Sequence, residues 1–282
     1  GTDGTGGGAL ETDRSQRNSD PATNGTILTG DQGTEGFPND NAYHVVTISE
    51  DAAAVLDGFT IRDGLADNAD PDNSGAGIWA KSESDLTLRN ARLIGNAASG
   101  SDGDGGSIYS QGTLSVENVT LTDNLAARSG GSIYTLGRSS FTNVTIANSS
   151  AGDGVGGAIY AGNGGTFADV TIETSSASDS GGGIYASERS SFTNVMIANS
   201  SADDGFGGAI YAANGGTFAD VTIENSSASG SGGGIYGGYR FSLAEGSTFT
   251  NVTVINSSAG FPLDTGFSGE RRGGGIYAGR GG

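Results

Sequence analysis

The sequence predicts an all-β solenoid, in which short parallel strands are wound into stacked coils of about 25–26 residues. The motif Gly-x-Ile-aromatic occurs seven times after a first variant copy, Ala-Gly-Ile-Trp at 76–79, and the eight copies lie mostly 25 or 26 residues apart. Runs rich in Val, Ile, Thr and Phe alternate with polar residues over strand lengths, and glycine pairs separate them. Such a run favours strands over helices, and recurrence at one period indicates a repeat architecture.

The motif ends on an aromatic residue in every copy. Within a strand, the Ile is expected to face the core and the following aromatic residue to face outward. Rings that recur once per coil would form an aromatic row, which consists of Trp79, Tyr109, Tyr134, Tyr160, Tyr185, Tyr211, Tyr236 and Tyr277. Three uses are open for this row: stacking that stabilises the solenoid, contact with another subunit, or contact with sugar rings.

The sequence divides into a polar, glycine-rich N-terminal segment, residues 1–41, and a predicted solenoid, residues 42–282. Residues 138–188 and 189–239 form a direct duplication without gaps, identical at 42 of 51 positions. Each unit contains two coils, one with Ser-Phe-Thr-Asn-Val-Thr-Ile and the other with Thr-Phe-Ala-Asp-Val-Thr-Ile.

Stacking of these coils predicts columns of like residues. One apolar column contains Val55, Leu88, Val116, Phe141, Phe167, Phe192, Phe218 and Phe249. A second contains Ile61, Leu121, Ile146, Ile172, Ile197, Ile223 and Val254. Asn or Asp follows each column, from Asp57 to Asn251 and from Asp63 to Asn256, with Thr174 in one place. Asn and Asp tolerate the left-handed backbone region, so these positions predict bends, and stacking at ~4.8 Å would link them in ladders.

Composition limits the possible partners. The net charge is −19, with a single Lys, which argues against binding nucleic acid or an anionic membrane surface. No apolar run is long enough for membrane insertion. The chain has no Cys, hence neither disulfides nor thiolate chemistry. These features favour an extracellular or cell-surface location.

The coil sequence resembles the repeats of right-handed parallel β-helix proteins that bacteria secrete. Gly-Gly-Ala-Ile at 156–159 and 207–210 is similar to the mark of polymorphic outer membrane protein repeats. Their Phe-x-x-Asn mark has counterparts at 93–96 and 121–124, which later coils are expected to shorten to Ile-x-Asn. The resemblance implies a right-handed, single-stranded parallel β-helix and a class that includes adhesins, passenger domains and polysaccharide-active enzymes.

Few residues point to chemistry. The one His, His44, has no recognisable nucleophile partner and is expected to be structural. Oxygen-rich turns precede several glycine pairs, and such turns can hold Ca²⁺. The candidates are Asp102, Asp104, Asp203 and Asp204, with solvated turn residues as the alternative. No other cofactor or metal is expected.

The sequon Asn-x-Ser/Thr recurs because the repeat itself generates it. In a secretory pathway that glycosylates, the likelier acceptors lie beside turns. These are Asn24, Asn148, Asn199, Asn225 and Asn256.

We interpret the chain as a non-enzymatic extracellular structural protein: a surface fibre, a filament subunit or an adhesin stalk. The last motif ends at Tyr277 with no capping segment after it, so we expect the stack to continue, through a longer chain or by end-to-end self-association. The alternatives are a carbohydrate-binding adhesin that uses the aromatic row and a polysaccharide lyase or hydrolase.

Overall fold

A computed structural model describes residues 26–70, 72–238, 246–260 and 274–278. In these parts of the chain every strand pairing is parallel, and each coil pairs with the next one. The helical content there is one 3₁₀ turn, Pro38–Asp40, and no helix in the described residues has the length and hydropathy to cross a bilayer. The predicted all-β solenoid is therefore confirmed.

One sheet, here called the tyrosine sheet, carries the aromatic row. It contains nine strands of three residues, each pairing in register with the next. Its strands are β2 (Val46–Ile48), β5 (Ile78–Ala80), β8 (Ile108–Ser110), β11 (Ile133–Thr135), β13 (Ile159–Ala161), β15 (Ile184–Ala186), β18 (Ile210–Ala212), β21 (Ile235–Gly237) and β24 (Ile276–Ala278).

The other sheet, here called the long-strand sheet, has fifteen strands and wraps the rest of each coil. Its longer strands are β1 (Ile27–Thr29), β3 (Ala53–Asp57), β4 (Thr60–Arg62), β6 (Asp85–Ile94), β9 (Thr113–Thr122), β12 (Ser139–Ala151), β14 (Gly165–Ala177), β16 (Ser190–Ala198), β19 (Gly216–Glu224) and β22 (Thr248–Ile255). Two-residue strands complete it: β7 (Ala97–Ala98), β10 (Leu125–Ala126), β17 (Ser201–Ala202), β20 (Ser227–Ala228) and β23 (Ser258–Ala259).

The core between the sheets consists of the predicted columns. Phe141, Phe167, Phe192 and Phe218 are fully buried, and their rings stack at centroid distances of 4.7–5.0 Å. The Ile column packs beside them, and the Ile of each Gly-x-Ile-aromatic motif packs from the opposite sheet. The prediction that Ile faces in and Tyr faces out is confirmed by the burial of strands such as β13 and β15.

The start of the Phe column was predicted one residue too early. Leu56, rather than Val55, lies opposite Leu88, and Val55 is 59% exposed on the outer surface. Gly58 takes the left-handed bend there with φ 81°, while Asp57 lies opposite Arg89 within the strand. Asp and Gly both tolerate this conformation, and Gly does so without steric penalty, so the bend shifts by one residue.

The bends in later coils lie where the Asn/Asp columns predict them. Asn143, Asp169 and Asn194 have φ between 52° and 55°, as does Thr174 with φ 53° in the second column. The predicted ladders also form: Asn143 Nδ2 donates to Asn118 Oδ1 at 2.8 Å, and Asn194 Nδ2 donates to Asp169 Oδ1 at 2.6 Å. These Asn and Asp bends therefore combine a left-handed residue with a hydrogen bond to a neighbouring coil.

The glycine pair that opens the motif in every copy after the first, which has Gly75-Ala76, has two separate steric causes. Gly156 adopts φ 69°, which L side chains rarely reach. At Gly157, a Cβ would lie 2.1 Å from the carbonyl oxygen of Gly182 in the next coil. The first glycine is needed for conformation and the second for close contact between coils.

A buried polar column lies beside the second bend. Asn96 and Asn124 are almost inaccessible; Asn124 Oδ1 accepts the Asn96 N–H at 3.0 Å. The strand register places Asn148 opposite Asp123, to which it donates a hydrogen bond. Ser149, not Asn148, is therefore the residue opposite Asn124. The predicted shortening to Ile-x-Asn is thus wrong: later coils keep the spacing and replace the buried Asn by Ser.

Strand β1 pairs with β4, so the long-strand sheet begins at Ile27 in the described part of the chain. The division at residue 41 stays a prediction. Asn24 and residues 279–282 lie outside the described residues.

The duplication supplies a test of the bends. Thr174 is a β-branched residue in the left-handed region, and Asn225 occupies the equivalent place in the second unit with φ 50°. We expect Thr174→Asn to stabilise the protein by about 1 kcal/mol, because Asn tolerates this conformation and can join the ladder. The measurement is the midpoint of chemical unfolding.

The matched control is the reverse exchange, Asn225→Thr. It should lower the midpoint by a similar amount, because it places the same branched side chain at φ 50° and removes the hydrogen bond to Asn199. Equal midpoints for both variants and the parent protein would contradict this account of the bends.

Candidate functional site: the outward aromatic row and its flanks

The aromatic row lies on the outer face of the tyrosine sheet. Each ring comes from the middle residue of a three-residue strand whose flanking residues face the core. Strand register sets each ring against the next one, as in Tyr134 opposite Tyr160. The sequence therefore identified the members of the row and their orientation.

The tyrosine rings form a continuous stack. From Tyr109 to Tyr277, successive centroids are 4.3–5.4 Å apart and the ring planes differ by 1–21°. A strand spacing of about 4.8 Å brings the faces of identical rings together in nearly parallel planes. Because each inner ring has a neighbour on both sides, the row presents ring edges and hydroxyls to solvent.

This geometry bears on how the row can be used. Sugar recognition by aromatic residues normally needs an open ring face, and the inner faces are occupied by neighbouring rings. Mutual stabilisation is worth about 0.5–1.5 kcal/mol per aromatic pair beyond area burial. The row therefore fits a structural role best, and contact with a glycan or another subunit stays a prediction.

Tyr236 departs from the rest of the row because it is only 2% exposed. Its ring also contacts Phe206, with centroids 5.1 Å apart and planes tilted by 44°. Phe206 replaces Val155 of the first duplicated unit. One exchange between the two units thus covers one member of the predicted binding row.

The row ends differently at Trp79. The imidazole of His44 lies 4.8 Å from the Trp79 ring, and the ammonium of Lys81 lies 4.6 Å from its centroid. Lys81 makes a cation–π contact, which stabilises by ~0.5–1 kcal/mol where exposed. The imidazole of His44 therefore packs on an aromatic ring, and its structural role stays a prediction.

The aspartates of the acidic turns differ in their burial and in the hydrogen bonds that they accept. Asp104 is buried, and two guanidinium nitrogens of Arg128 donate to it, one from Nε to Oδ1 at 3.0 Å. The Ser129 N–H also donates to Oδ1. Asp102 is exposed and lies 3.9 Å from Arg128, so the oxygens of this turn face an arginine.

Within this ion pair, the carboxylate of Asp104 is far more buried than the guanidinium of Arg128. Its side chain is 3% exposed, whereas that of Arg128 is 45% exposed. Burial raises the pKa of Asp104, and the bonds from Arg128 oppose that rise. The same bonds raise the pKa of Arg128, which keeps its water contact. Burial, with help from Asp104, likewise raises the pKa of Tyr134, so this phenol stays uncharged at neutral pH.

Asp203 and Asp204 are exposed in an equivalent turn, held by their N–H donations to Ala177 and Ser178. No group of three potential metal ligands occurs in the described residues. Binding of Ca²⁺ at these turns stays a prediction.

The candidate glycosylation sites lie in the second ladder. Asn148 Nδ2 donates to Asp123 at 3.0 Å, and Asn256 Nδ2 donates to Asn225 at 3.3 Å. A sugar would attach to these same nitrogens, so modification would compete with the ladder for them. Acceptor use at Asn148, Asn199, Asn225 and Asn256 stays a prediction.

Neither the Arg128–Asp104 pair nor the contact between His44 and Trp79 was predicted. The first joins two turns of irregular length, and the second involves the segment before β2; the repeat aligns neither of these parts. An arginine in the turn directly before a glycine pair was the one available signal for the first.

Stacked parallel sheets and an in-register aromatic row define a parallel β-helix repeat protein. The chain belongs to the family described as the right handed beta helix region, whose model matches residues 76–277. The predicted right-handed parallel β-helix is thereby confirmed. Comparisons with curated proteins and with solved structures gave no match. Secretion and the finer likeness to polymorphic outer membrane protein repeats stay predictions.

A pair of substitutions at Tyr160 tests the structural role of the row. Tyr160→Ala removes ring contacts at 4.3 and 5.4 Å and should destabilise by roughly 2–3 kcal/mol, whereas Tyr160→Phe keeps the stack and should change stability little. Thermal and chemical unfolding measure both. Tyr43→Ala, at an exposed tyrosine outside the row, is the control. An unchanged midpoint for Tyr160→Ala would show that stacking contributes nothing.

A second test concerns the ion pair. Arg128→Met leaves Asp104 buried without its cation, and we expect a loss of roughly 2–3 kcal/mol at neutral pH, less than for a fully buried pair because Arg128 is half exposed. The pKa of Asp104 already lies above 3.8, and the variant raises it further. A carboxyl whose pKa is raised by folding favours the folded state below that pKa and disfavours it above. The deficit should therefore shrink on acidification.

The control is Asp104→Asn/Arg128→Met, which removes both charges and still accepts the Ser129 N–H. It should recover stability at neutral pH and lose the pH dependence. If the single and double variants unfold alike at all pH values, the buried carboxylate is not the cause.

Proposed function

We propose that this protein is a non-enzymatic extracellular scaffold, a rigid stalk or filament subunit, whose elongated form is its function. The observation that carries the proposal is the unbroken in-register stacking across both sheets, with Phe rings inside and Tyr rings outside. Nine strands in the tyrosine sheet make a rod of roughly 40 Å at ~4.8 Å per spacing. Such a ladder resists bending because every inner coil is bonded to both neighbours.

End-to-end association is supported by the edges of the described sheets. Within the described residues, β3 pairs only with β6, and at the other end β24 pairs only with β21. The N–H of Asp85 donates to Ala52 and that of Gly58 to Arg89, so even-numbered residues of this edge bond inward. By strand alternation, the backbone groups of Ala53 and Val55 point away from β6. Unpaired edges of this kind favour head-to-tail growth.

The net charge of −19 opposes such growth, because like-charged rods repel one another. Salt screens this repulsion, with a Debye length of ~8 Å at physiological ionic strength. Association in this proposal therefore increases with ionic strength and is weakest at low salt.

Val55 provides the test of the edge. The side chain of Val55 is exposed, and its N–H points away from β6. Val55→Pro therefore removes an outward N–H donor without removing a ladder bond. We expect the parent protein to form rods whose length increases with protein concentration and salt, and Val55→Pro to shorten them several-fold. Sedimentation velocity and negative-stain electron microscopy measure the distribution.

The matched control is Val55→Thr, which places in this row the residue found opposite it at Thr87 and keeps the N–H. It should associate like the parent protein. A parent protein that stays monomeric at all concentrations and salts would refute end-to-end assembly, and equal association of Val55→Pro would refute this edge as its site.

A further inference from the structure

Turns of different charge border the tyrosine sheet in the duplicated part of the chain. The turns before its strands, here called the acidic flank, carry four exposed aspartates: Asp153, Asp179, Asp203 and Asp204. The turns after its strands, here called the basic flank, are residues 136–138, 162–164 and 187–189. This flank carries the exposed Arg138 and Arg189, and its one carboxylate, Glu188, accepts a hydrogen bond from Asn214 at 2.9 Å. The aromatic row therefore lies between two flanks of opposite charge.

A groove of about 400 Å³ opens in the basic flank between Arg138 and Arg189. Asn163, Gly164 and Gly165 of the coil between the two arginines also line it, and the glycines leave it free of side chains at its centre. The side chain of Arg138 has no hydrogen bond or ion pair with another described residue. The groove therefore offers guanidinium donors to a carboxylate from outside this chain.

The internal duplication gives both flanks the same spacing. Arg138 and Arg189 are equivalent residues of the two units, and so are Asp153 and Asp204. The members of each pair are two coils apart, which is about 10 Å along the rod. A second copy with a parallel axis that places one of these aspartates against one arginine therefore places the other aspartate against the other arginine.

We propose that two copies of this chain pair side by side with parallel axes and facing tyrosine sheets, the basic flank of each lying against the acidic flank of the other. The flanks lie at opposite ends of three-residue strands, so a half-turn about an axis parallel to the rod brings both pairs of flanks together at once. A sideways shift of the second copy would bring together only one pair. Closed two-fold pairing is also the commonest symmetry among soluble oligomers.

Heights along the rod fit this arrangement, because a two-fold axis parallel to the rod leaves them equal in both copies. With an even rise per coil, Arg189 lies between the heights of Asp179 and Asp204 of the second copy, within about 3 Å of each. Arg138 and Asp153 of the second copy also differ in height by about 3 Å. The flexible arginine side chain spans such a difference.

The match of charge is confined to the duplicated part of the chain. Nearer its start, acidic residues also follow the strands, as Glu50 follows β2 and Glu83 follows β5. Arg128, a cation on the aspartate side, donates to the buried Asp104. Because two chains of net charge −19 repel one another, the flanks determine orientation more than affinity, and tyrosine edges and hydroxyls supply the rest of the contact. Pairing leaves both ends of the rod uncovered, so it goes beyond end-to-end association and does not depend on it.

An exchange of charges in the full chain tests the pairing. Arg138→Glu/Arg189→Glu reverses the matched arginines, and Asp153→Arg/Asp204→Arg reverses the matched aspartates. In a two-fold pair of either variant alone, like charges meet on both sides, and we expect the dissociation constant of the pair to rise at least about tenfold. In an equimolar mixture the matched charges are complementary on both sides, so a mixed pair should form with the affinity of the parent protein. Sedimentation velocity distinguishes a closed dimer from the series of lengths that end-to-end growth produces.

The matched control is Glu173→Arg/Glu224→Arg, at equivalent positions of the duplication on the outward side of the long-strand sheet. It removes as much negative charge as Asp153→Arg/Asp204→Arg and has the same two-coil spacing. If net charge alone governed association, both variants would pair more tightly than the parent protein. We expect the control to pair at least as tightly as the parent protein and the flank variant to pair more weakly.

A single cysteine reports which faces meet, because the chain has none of its own. Tyr160→Cys, in the middle of the aromatic row, faces its own copy across the two-fold axis and should form a covalent dimer on mild oxidation. Thr145→Cys, exposed on the outer face of the long-strand sheet, should stay monomeric. Adding Val55→Pro, which blocks the edge used in end-to-end association, should leave this cross-linking unchanged.

Three results would each overturn the pairing. They are a parent protein that forms no side-by-side dimer, a mixture of the two charge variants that pairs no better than either alone, and equal cross-linking of Tyr160→Cys and Thr145→Cys. None of these readouts depends on rod length. A failure of end-to-end association therefore leaves the pairing intact, and a failure of pairing leaves the test at Val55 intact.

Discussion

The left-handed residue at each bend determines where every other side chain of a coil lies. It reverses the in–out alternation between the Phe strand and the Ile strand, so that Phe141 and Ile146 both reach the core across Asn143. Because Asn143 also donates to Asn118 of the neighbouring coil, the bend sets the register between coils as well as the path within one. A bend displaced by one residue would turn an entire strand face from core to solvent.

Fixed register makes like residues stack on like residues. The consequence is favourable for apolar and aromatic side chains, as in the buried Phe rings at 4.7–5.0 Å and the outer Tyr rings at 4.3–5.4 Å. The same geometry occupies the faces of the tyrosine rings. A row that looks like a binding surface in the sequence is therefore also a consequence of the coil spacing, and its structural role needs no ligand.

The sequence predicted the parts of the fold that repeat and missed the parts that do not. Ile159 inward, Tyr160 outward and the bend at Asn143 all follow from a pattern seen in many copies. Val55 was misplaced because Asp57 and Gly58 are adjacent and both suit a left-handed bend. The Arg128–Asp104 pair and the His44–Trp79 contact could not be predicted, since each involves a segment outside the aligned repeat, and only the folded chain determines where that segment lies.

Like-on-like stacking also explains why the internal duplication spans two coils rather than one. Equal charges directly opposite each other on neighbouring strands destabilise a sheet by several tenths of a kcal/mol. In the register observed here, Glu173 lies between Ala147 and Ala198, and Asp169 stands in its column between the amides of Asn143 and Asn194. At these two positions acidic and neutral residues thus alternate from coil to coil, which matches the 51-residue period. A one-coil repeat carrying Glu and Asp at these positions would form unbroken columns of negative charge, and the alternation lets a chain of net charge −19 keep its columns in register.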